Sequence, residues 1–82
     1  MFLARVYVTL KTTVNDPQGL TIRSGLHSLG FESVDNVRFG KYIEIRIDEE
    51  DEKIASDRVN EMCDKVLANP IIEQYRFRLE SV

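Results

Sequence analysis

The sequence has few of the residues that catalytic and metal sites need. Cys63 is its only cysteine, which excludes an intramolecular disulfide, and His27 is its only histidine. No cysteine lies near His27 to complete a metal site of the usual spacing. These residues give almost no support to acid–base or nucleophilic catalysis. A single thiol without a disulfide fits a reducing compartment, and we expect a cytoplasmic location.

Features of membrane proteins and nucleic-acid-binding proteins are also missing. No apolar run approaches the ~18 residues of a membrane span. The first residues, MFLARVYVTLK, have no charged region before their apolar part and no small-residue cleavage site, so we expect no signal peptide. The net charge is -3, with both signs spread along the chain. Without a basic cluster, a nucleic-acid or membrane-surface partner is not expected.

Single residues and short segments that resemble binding sites have simpler explanations. The acidic run DEEDE, residues 48–52, lacks the glycine and the ligand spacing of a calcium loop and predicts a solvated helix start. DPQG, residues 16–19, predicts a helix N-terminus, but its single glycine makes a poor phosphate cradle. We predict a surface or interface histidine at His27 and a small buried apolar residue at Cys63.

What is present is the composition of one small globular domain, covering residues 1–82. Of these residues 43% are apolar and 30% are charged. Below roughly 70–80 residues, one core rarely supplies more than ~3–5 kcal/mol of stability. This chain lies just above that limit and has no disulfide or metal to add stability. We therefore expect it to form a homo-oligomer.

The first half of the chain predicts a strand followed by a helix. Residues 4–11 alternate, with four apolar side chains on one face: Ala4, Val6, Val8 and Leu10. Asp16 is the predicted N-cap and Pro17 the first residue of a helix that runs to Leu29. Gly30 is the predicted left-handed stop, with Phe31 folding back on the helix.

The second half predicts a hairpin, a helix and a strand. Residues 33–48 read as a β-hairpin that turns near Gly40. A helix from Glu50 to Leu67 follows, with an apolar stripe made of Ile54, Ala55, Val59, Met62, Cys63, Val66 and Leu67. Pro70 ends the helix. The last strand starts at Ile71, and Glu73 is the one polar residue on its apolar face, near its exposed start.

The order β-α-β-β-α-β predicts an α+β fold, a two-layer sandwich with two helices on one face of an antiparallel sheet. The ferredoxin-like strand order 4-1-3-2 is the default. A related fold, in which the hairpin pairs outside its own sheet, stays open. Because both helix stripes are needed to cover the sheet, we expect copies to associate through the sheet surface or a strand edge.

The candidate interface residues come from the other sheet face and from the turns. That face carries tyrosines and arginines, which are enriched at protein interfaces, although an exposed antiparallel sheet face is equally normal. The VRFGK segment, residues 37–41, places cations beside a glycine, as an anion or partner contact or simply as a charged tip. We predict a partner or dimer interface that includes Tyr7, Asp16, Gln18, Gly19, Arg38, Gly40, Lys41, Tyr42, Arg76 and Arg78. No catalytic, cofactor-binding or metal residue is predicted.

Five stretches, in order and over nearly the whole chain, resemble the PurS family. This family comprises the small subunit of the bacterial and archaeal multi-subunit phosphoribosylformylglycinamidine synthase of purine biosynthesis. The stretches are VYVTLK (Val6–Lys11), DPQG (Asp16–Gly19), LHSLGF (Leu26–Phe31), VRFGK (Val37–Lys41) and MCDKVLANPIIEQY (Met62–Tyr75). Each is weak alone, and together they are specific. Thr13 departs from the glycine that members often carry there.

The resemblance implies a non-catalytic assembly subunit. In such complexes a glutaminase subunit frees ammonia from glutamine. An ATP-using synthetase subunit adds that ammonia to formylglycinamide ribonucleotide, which gives formylglycinamidine ribonucleotide. The PurS-like subunit, a dimer or tetramer, bridges the two. The complex uses ATP, magnesium and glutamine, and none of these is expected to bind to this chain alone.

Two other classes of function stay open. One is a stand-alone ferredoxin-like regulatory module that binds a small effector. It needs a glycine-rich loop and a polar pocket at a dimer edge, and only residues 16–19 approach that pattern. The other is a small enzyme, which needs His27 or a pair of carboxylates in a pocket.

Overall fold

The computed structural model describes residues Met1–Val82 and contains one three-stranded antiparallel sheet with two α-helices. In chain order the elements are β1 (Phe2–Leu10), α1 (Pro17–Ser28), β2 (Gly40–Ile47), α2 (Glu52–Met62) and β3 (Glu73–Ser81). The strand order is β2-β1-β3, which makes β1 central. The predicted α+β class with an antiparallel sheet is confirmed. Neither helix is long and apolar enough to cross a membrane.

The pairing register collects the apolar residues of the three strands on one side of the sheet. Val6 pairs with Ile43 on β2 and with Phe77 on β3. Because side chains alternate along a strand, every second residue shares this side. We call it the apolar face; it carries Phe2, Ala4, Val6, Val8, Ile43, Ile45, Ile47, Tyr75, Phe77 and Leu79. The opposite side is the polar face.

The predicted hairpin around Gly40 is wrong, and so is the four-stranded order 4-1-3-2. Gly40 begins β2, and residues 31–39 form no strand. These residues return along α1 instead. His27 Nε2 lies 2.7 Å from the carbonyl oxygen of Val34, and Arg23 Nε donates to the carbonyl of Asp35 at 2.9 Å. Hydrogen bonds to the helix thus replace the strand pairing that the short apolar alternation predicted.

Helix α1 begins and ends as the sequence predicts. Asp16 is the N-cap, and Pro17 is the first helical residue. Gly30 follows the helix with a positive φ of 95°. The backbone N–H of Phe31 then donates to the carbonyl of Leu26, five residues earlier, at 3.0 Å. This is the 6→1 hydrogen bond of a Schellman motif.

Helix α2 packs on β1 and forms the core. Ala55, Val59 and Cys63 are fully buried, as are their neighbours Ala4, Val6 and Val8. The prediction that Cys63 is a small buried apolar residue is confirmed. The predicted stripe is too wide, since Ile54 is 44% exposed and Val66 is 81% exposed. Buried side chains therefore recur every four residues along this helix.

One wide turn extends this helix beyond Met62. Residues Cys63–Leu67 form a π-helical turn, in which the N–H of Ala68 donates to the carbonyl of Cys63 at 3.0 Å. The turn places Ala68 in the core, 7% exposed. The backbone of Ala68 is extended, and the chain turns after it, at Asn69. Strand β3 starts at Glu73, two residues after the predicted start at Ile71.

Helix α1 does not cover the sheet, contrary to the predicted layer of two helices. Helix α1 packs against no strand as extensively as α2 packs against β1. Its apolar residues Ile22 and Leu29 are 39% and 76% exposed. The radius of gyration is 16.1 Å, against ~12 Å for a compact domain of this length. A single copy is thus elongated, and its apolar face is only partly covered.

Candidate functional site

Arg5 is the centre of a charged cluster on the polar face. Its Nε donates to Glu80 Oε1 at 2.8 Å, and its Nη1 donates to Glu44 Oε2 at 2.9 Å and to the Tyr42 hydroxyl at 2.7 Å. These partners lie on β3 and β2, so one side chain links all three strands. Its hydrogen bonds to Glu80 and Tyr42 raise the pKa of Arg5, and the bond from Arg5 lowers the pKa of Glu80.

An aromatic and arginine stack adjoins this cluster. The rings of Tyr7 and Tyr42 have centroids 5.2 Å apart and are tilted by 39°. The guanidinium carbon of Arg76 lies 4.4 Å from the Tyr7 centroid on the other side of β1. Such a cation–π contact contributes about 0.5–1 kcal/mol at an exposed site. Arg76 is thereby held in place without a carboxylate partner.

The ten predicted interface residues lie in separate parts of the molecule. Four are on the polar face: Tyr7, Tyr42, Arg76 and Arg78. Gly40 lies at the end of this face, opposite Thr9. Lys41 is on the opposite side, where its Nζ lies 3.8 Å from Glu73 Oε2. The remaining four are at the junction of β1, α1 and β2: Asp16, Gln18, Gly19 and Arg38. A partner contact for each of the ten stays a prediction.

Asp16 holds the junction together. Only 4% of its surface is exposed. Its Oδ2 accepts a hydrogen bond from the Phe39 N–H at 2.7 Å, and its Oδ1 accepts one from the Gly19 N–H at 2.9 Å. The bond from Phe39, and next that from Gly19, lowers the pKa of Asp16. One carboxylate therefore ties the start of α1 to the start of β2.

Arg38 and Gly19 complete this junction. Arg38 Nη2 donates to the carbonyls of Lys11 and Val14 at 2.9 and 3.1 Å, so it closes the loop after β1. A Cβ atom on Gly19 would collide with the carbonyl oxygen of Val37. The helix can approach the returning chain only because residue 19 has no side chain. In the DPQG and VRFGK segments, the residue types of Asp16, Gly19 and Arg38 are thus explained by contacts within the chain.

Asp16→Asn is expected to destabilise the fold most at neutral pH. Because the folded pKa of Asp16 is depressed, its ionised form adds stability above the ordinary carboxyl pKa of ~4. That contribution is lost as the pH falls through the folded pKa. Urea midpoints of parent and variant should therefore differ clearly at pH 7 and converge below pH ~4. Asp35→Asn, whose side chain accepts no hydrogen bond, is the control. A difference independent of pH would contradict this role.

The remaining reactive groups are engaged or buried. Burial raises the pKa of the Cys63 thiol, which is fully enclosed by the core. His27, predicted at the surface or an interface, is half-buried, and its ring ties α1 to the carbonyl of Val34. No cluster of three His, Cys, Asp or Glu side chains is arranged to hold a metal ion. What the polar face offers is an open, charged and aromatic surface suited to contact with another protein.

Sequence reasoning missed Arg5, Glu44 and Glu80. The alternation of β1 places Arg5 on the polar face together with Tyr7, and that signal was present. The acids that Arg5 binds are 39 and 75 residues away in sequence. Only the strand order and register, which no local pattern specifies, bring them beside it.

Comparison with known proteins identifies the family. The sequence model of the PurS family, described as phosphoribosylformylglycinamidine (FGAM) synthase, matches residues 3–81. The PurS subunit of phosphoribosylformylglycinamidine synthase from Synechocystis is 46% identical over 78 residues, which are 95% of this chain and 78% of that protein.

Solved structures agree. That of Bacillus subtilis PurS superposes with a TM-score of 0.89 at 44% identity, over 99% of this chain and 100% of that one. A chain in the structure of PurLQS from Thermotoga maritima has a TM-score of 0.86 at 28% identity, over 98% of this chain and 99% of that one. The chain belongs to the PurS family.

Proposed function

We propose that this chain is the non-catalytic assembly subunit of phosphoribosylformylglycinamidine synthase and joins the ATP-dependent synthetase to the glutaminase. The observation that carries the proposal is its likeness, over 98% of its length, to a chain of the PurLQS structure. The molecule fits this role because its charged and aromatic side chains form an open surface rather than a closed pocket. Residues 16–19 do not favour a small-effector module, since Asp16 and Gly19 are used within the chain.

The chemistry in this proposal belongs to the partners. The glutaminase frees ammonia from glutamine, and the synthetase uses ATP and magnesium to add it to formylglycinamide ribonucleotide in the cytoplasm. Free ammonia is mostly protonated at neutral pH and is then no nucleophile. A subunit that holds the two active sites together therefore controls the coupled rate without binding ATP, magnesium or glutamine itself.

Self-association is the second part of the proposal. One copy leaves Ile43, Ile45 and Phe77 only half-buried on its apolar face, and it exposes Ile22 and Leu29 on α1. Partly exposed apolar side chains on a sheet face and on a helix are typical of an interface in a small domain. We place α1 of one copy on the apolar face of another, where the two-layer fold requires a second helix. The apolar face and α1, rather than the polar face or the strand edge expected from sequence, then form the contact.

Reconstitution tests the assembly role. The purified chain alone should show no glutaminase and no ATPase turnover. Added to the synthetase and glutaminase, it should raise glutamine-dependent product formation by about tenfold or more, because productive contact of the two sites depends on it. Size-exclusion chromatography should show all three chains eluting together.

A matched reaction separates assembly from chemistry. With ammonium chloride in place of glutamine, the synthetase should turn over at a similar rate with and without this chain. Turnover by the lone chain that persists through repurification would reject the non-catalytic role. A glutamine-dependent rate that is the same without the chain would reject the assembly role.

A further inference from the structure

We propose that the polar face around Arg76 and Arg78 receives an acidic segment of a partner subunit. The inference rests on the proposed assembly function and adds to it a surface and the chemistry of the segment that binds there. It follows from the charges that the strand register brings together on one side of the sheet.

The polar face has an excess of positive charge that the rest of the chain does not share. The chain has a net charge of -3. Four arginines lie on this face, at positions 5, 46, 76 and 78, against two glutamates at positions 44 and 80. Arg5 pairs with both glutamates, at 2.9 and 2.8 Å. No carboxylate forms an ion pair with the other three arginines, although Arg78 stands beside Glu80 on the strand.

Two of these arginines are aligned for contact. Arg76 and Arg78 are exposed and lie two residues apart on β3, so both project from the same face. Tyr7 supports the Arg76 guanidinium from one side at 4.4 Å. A stacked guanidinium keeps its N–H donors in its own plane, where two of them can bind the two oxygens of one carboxylate. The pair therefore presents two carboxylate-binding groups along an edge strand.

The aromatic part of the face is held rigid beside them. The Tyr42 hydroxyl donates to Glu44 Oε2 at 2.8 Å and accepts from Arg5 at 2.7 Å. A shallow cleft of about 390 Å³ lies at this end of the sheet and includes Tyr7, Tyr42 and Arg76 in its lining. Tyrosine and arginine side chains that are already ordered lose little freedom on binding, which favours them as interface anchors.

A second copy of this chain does not fit the same face. In a two-fold dimer this face would meet itself, so two surfaces with an excess of positive charge would face each other. Like charges facing each other oppose such a contact. The chain's own acidic run is partly engaged, because Glu49 and Asp51 accept backbone hydrogen bonds at the start of α2. A foreign acidic segment is the occupant that the charges favour.

The test is the double variant Arg76→Glu/Arg78→Glu. Its affinity for the purified synthetase and glutaminase subunits would be measured beside that of the parent, by titration at low and high salt. We expect the affinity for one of the two subunits to fall about tenfold or more. The salt dependence of the residual binding should also weaken. The oligomer mass by light scattering should stay that of the parent.

A control variant and a milder variant complete the design. Arg58→Glu/Lys65→Glu changes the charge equally on the α2 side of the molecule and should leave both affinities unchanged. Arg76→Gln adds no negative charge to this face, so it should fold and still weaken binding a few-fold.

The outcomes separate the two proposals. A parent chain that binds neither subunit overturns the assembly function and, with it, this inference. A parent that binds, with a folded double variant that binds equally well, overturns the inference alone. A fall in the oligomer mass of the double variant also overturns it, since the face would then join copies of this chain. If the double variant does not fold, parent-like binding by Arg76→Gln overturns the inference.

Discussion

Val59→Asp is expected to prevent this chain from folding. Val59 is fully buried on α2, in the core that includes Val6, Val8 and Cys63. A carboxylate there would be removed from water with no cation or hydrogen-bond donor supplied for it. Changes of this kind are among the few that cost more than ~4 kcal/mol, which approaches the whole stability of so small a domain. Far-ultraviolet circular dichroism and urea titration of the purified variant would measure the loss.

Val66→Asp is the matched control for this experiment. It places the same charge in the turn that extends the same helix, at a side chain that is 81% exposed. Its urea midpoint should lie close to that of the parent. If Val59→Asp also unfolds at the parent's midpoint, then Val59 is not part of the core.

Ile22→Asp combined with Leu29→Asp is expected to reduce the assembly to a single copy. Both side chains are exposed in one copy and make little contribution to its own core. On the proposed interface, however, they lie against the apolar face of another copy, where two buried charges would oppose association. Light scattering at micromolar concentration should give the parent an oligomeric mass and the variant a monomeric one. Glutamine-dependent activity of the reconstituted complex should fall with it.

The polar side of the same helix provides the control. Thr21→Asp with Ser28→Asp adds the same charge to α1 away from its apolar residues, and the oligomer should persist. A monomeric parent would reject self-association outright. An oligomeric parent with an unchanged Ile22→Asp/Leu29→Asp variant would move the interface to a strand edge or to the polar face.

The elements predicted correctly are those whose signals are local. The alternation of β1, the Asp16–Pro17 start of α1 and its Gly30 stop each depend on residues within one or two turns. Backbone preference and capping act over that range, so one sequence is enough to read them. The second face of the sheet was also predicted, since a strand that buries one side must present the other.

The wrong predictions lie where contacts between residues distant in sequence determine the local structure. Val37 and Phe39 alternate as strand residues do, but the Phe39 N–H is bound by Asp16, 23 residues earlier. The apolar side of α1 predicted a helix on its own sheet. Amphipathic spacing predicts that a helix buries one side, and it does not specify the surface against which that side packs.

The candidate site shows the same division. Tyr7, Arg76 and Arg78 were assigned to the polar face because each strand alternates. That Arg5 takes both glutamates, and so leaves the other arginines without partners, depends on the register between three strands. The π-helical turn that starts at Cys63 was not predicted either, because the spacing of apolar residues there is that of an ordinary α-helix.

In the proposed oligomer, the partly covered sheet makes the stability of this protein depend on its concentration. Every interaction made only in the oligomer adds to the free energy of unfolding through mass action, so the melting temperature should rise with chain concentration. A newly made copy has two edge strands, β2 and β3, without partners. Such edges favour aggregation and offer proteases an entry. Copies that have no partner are therefore expected to be the ones most open to aggregation and proteolysis.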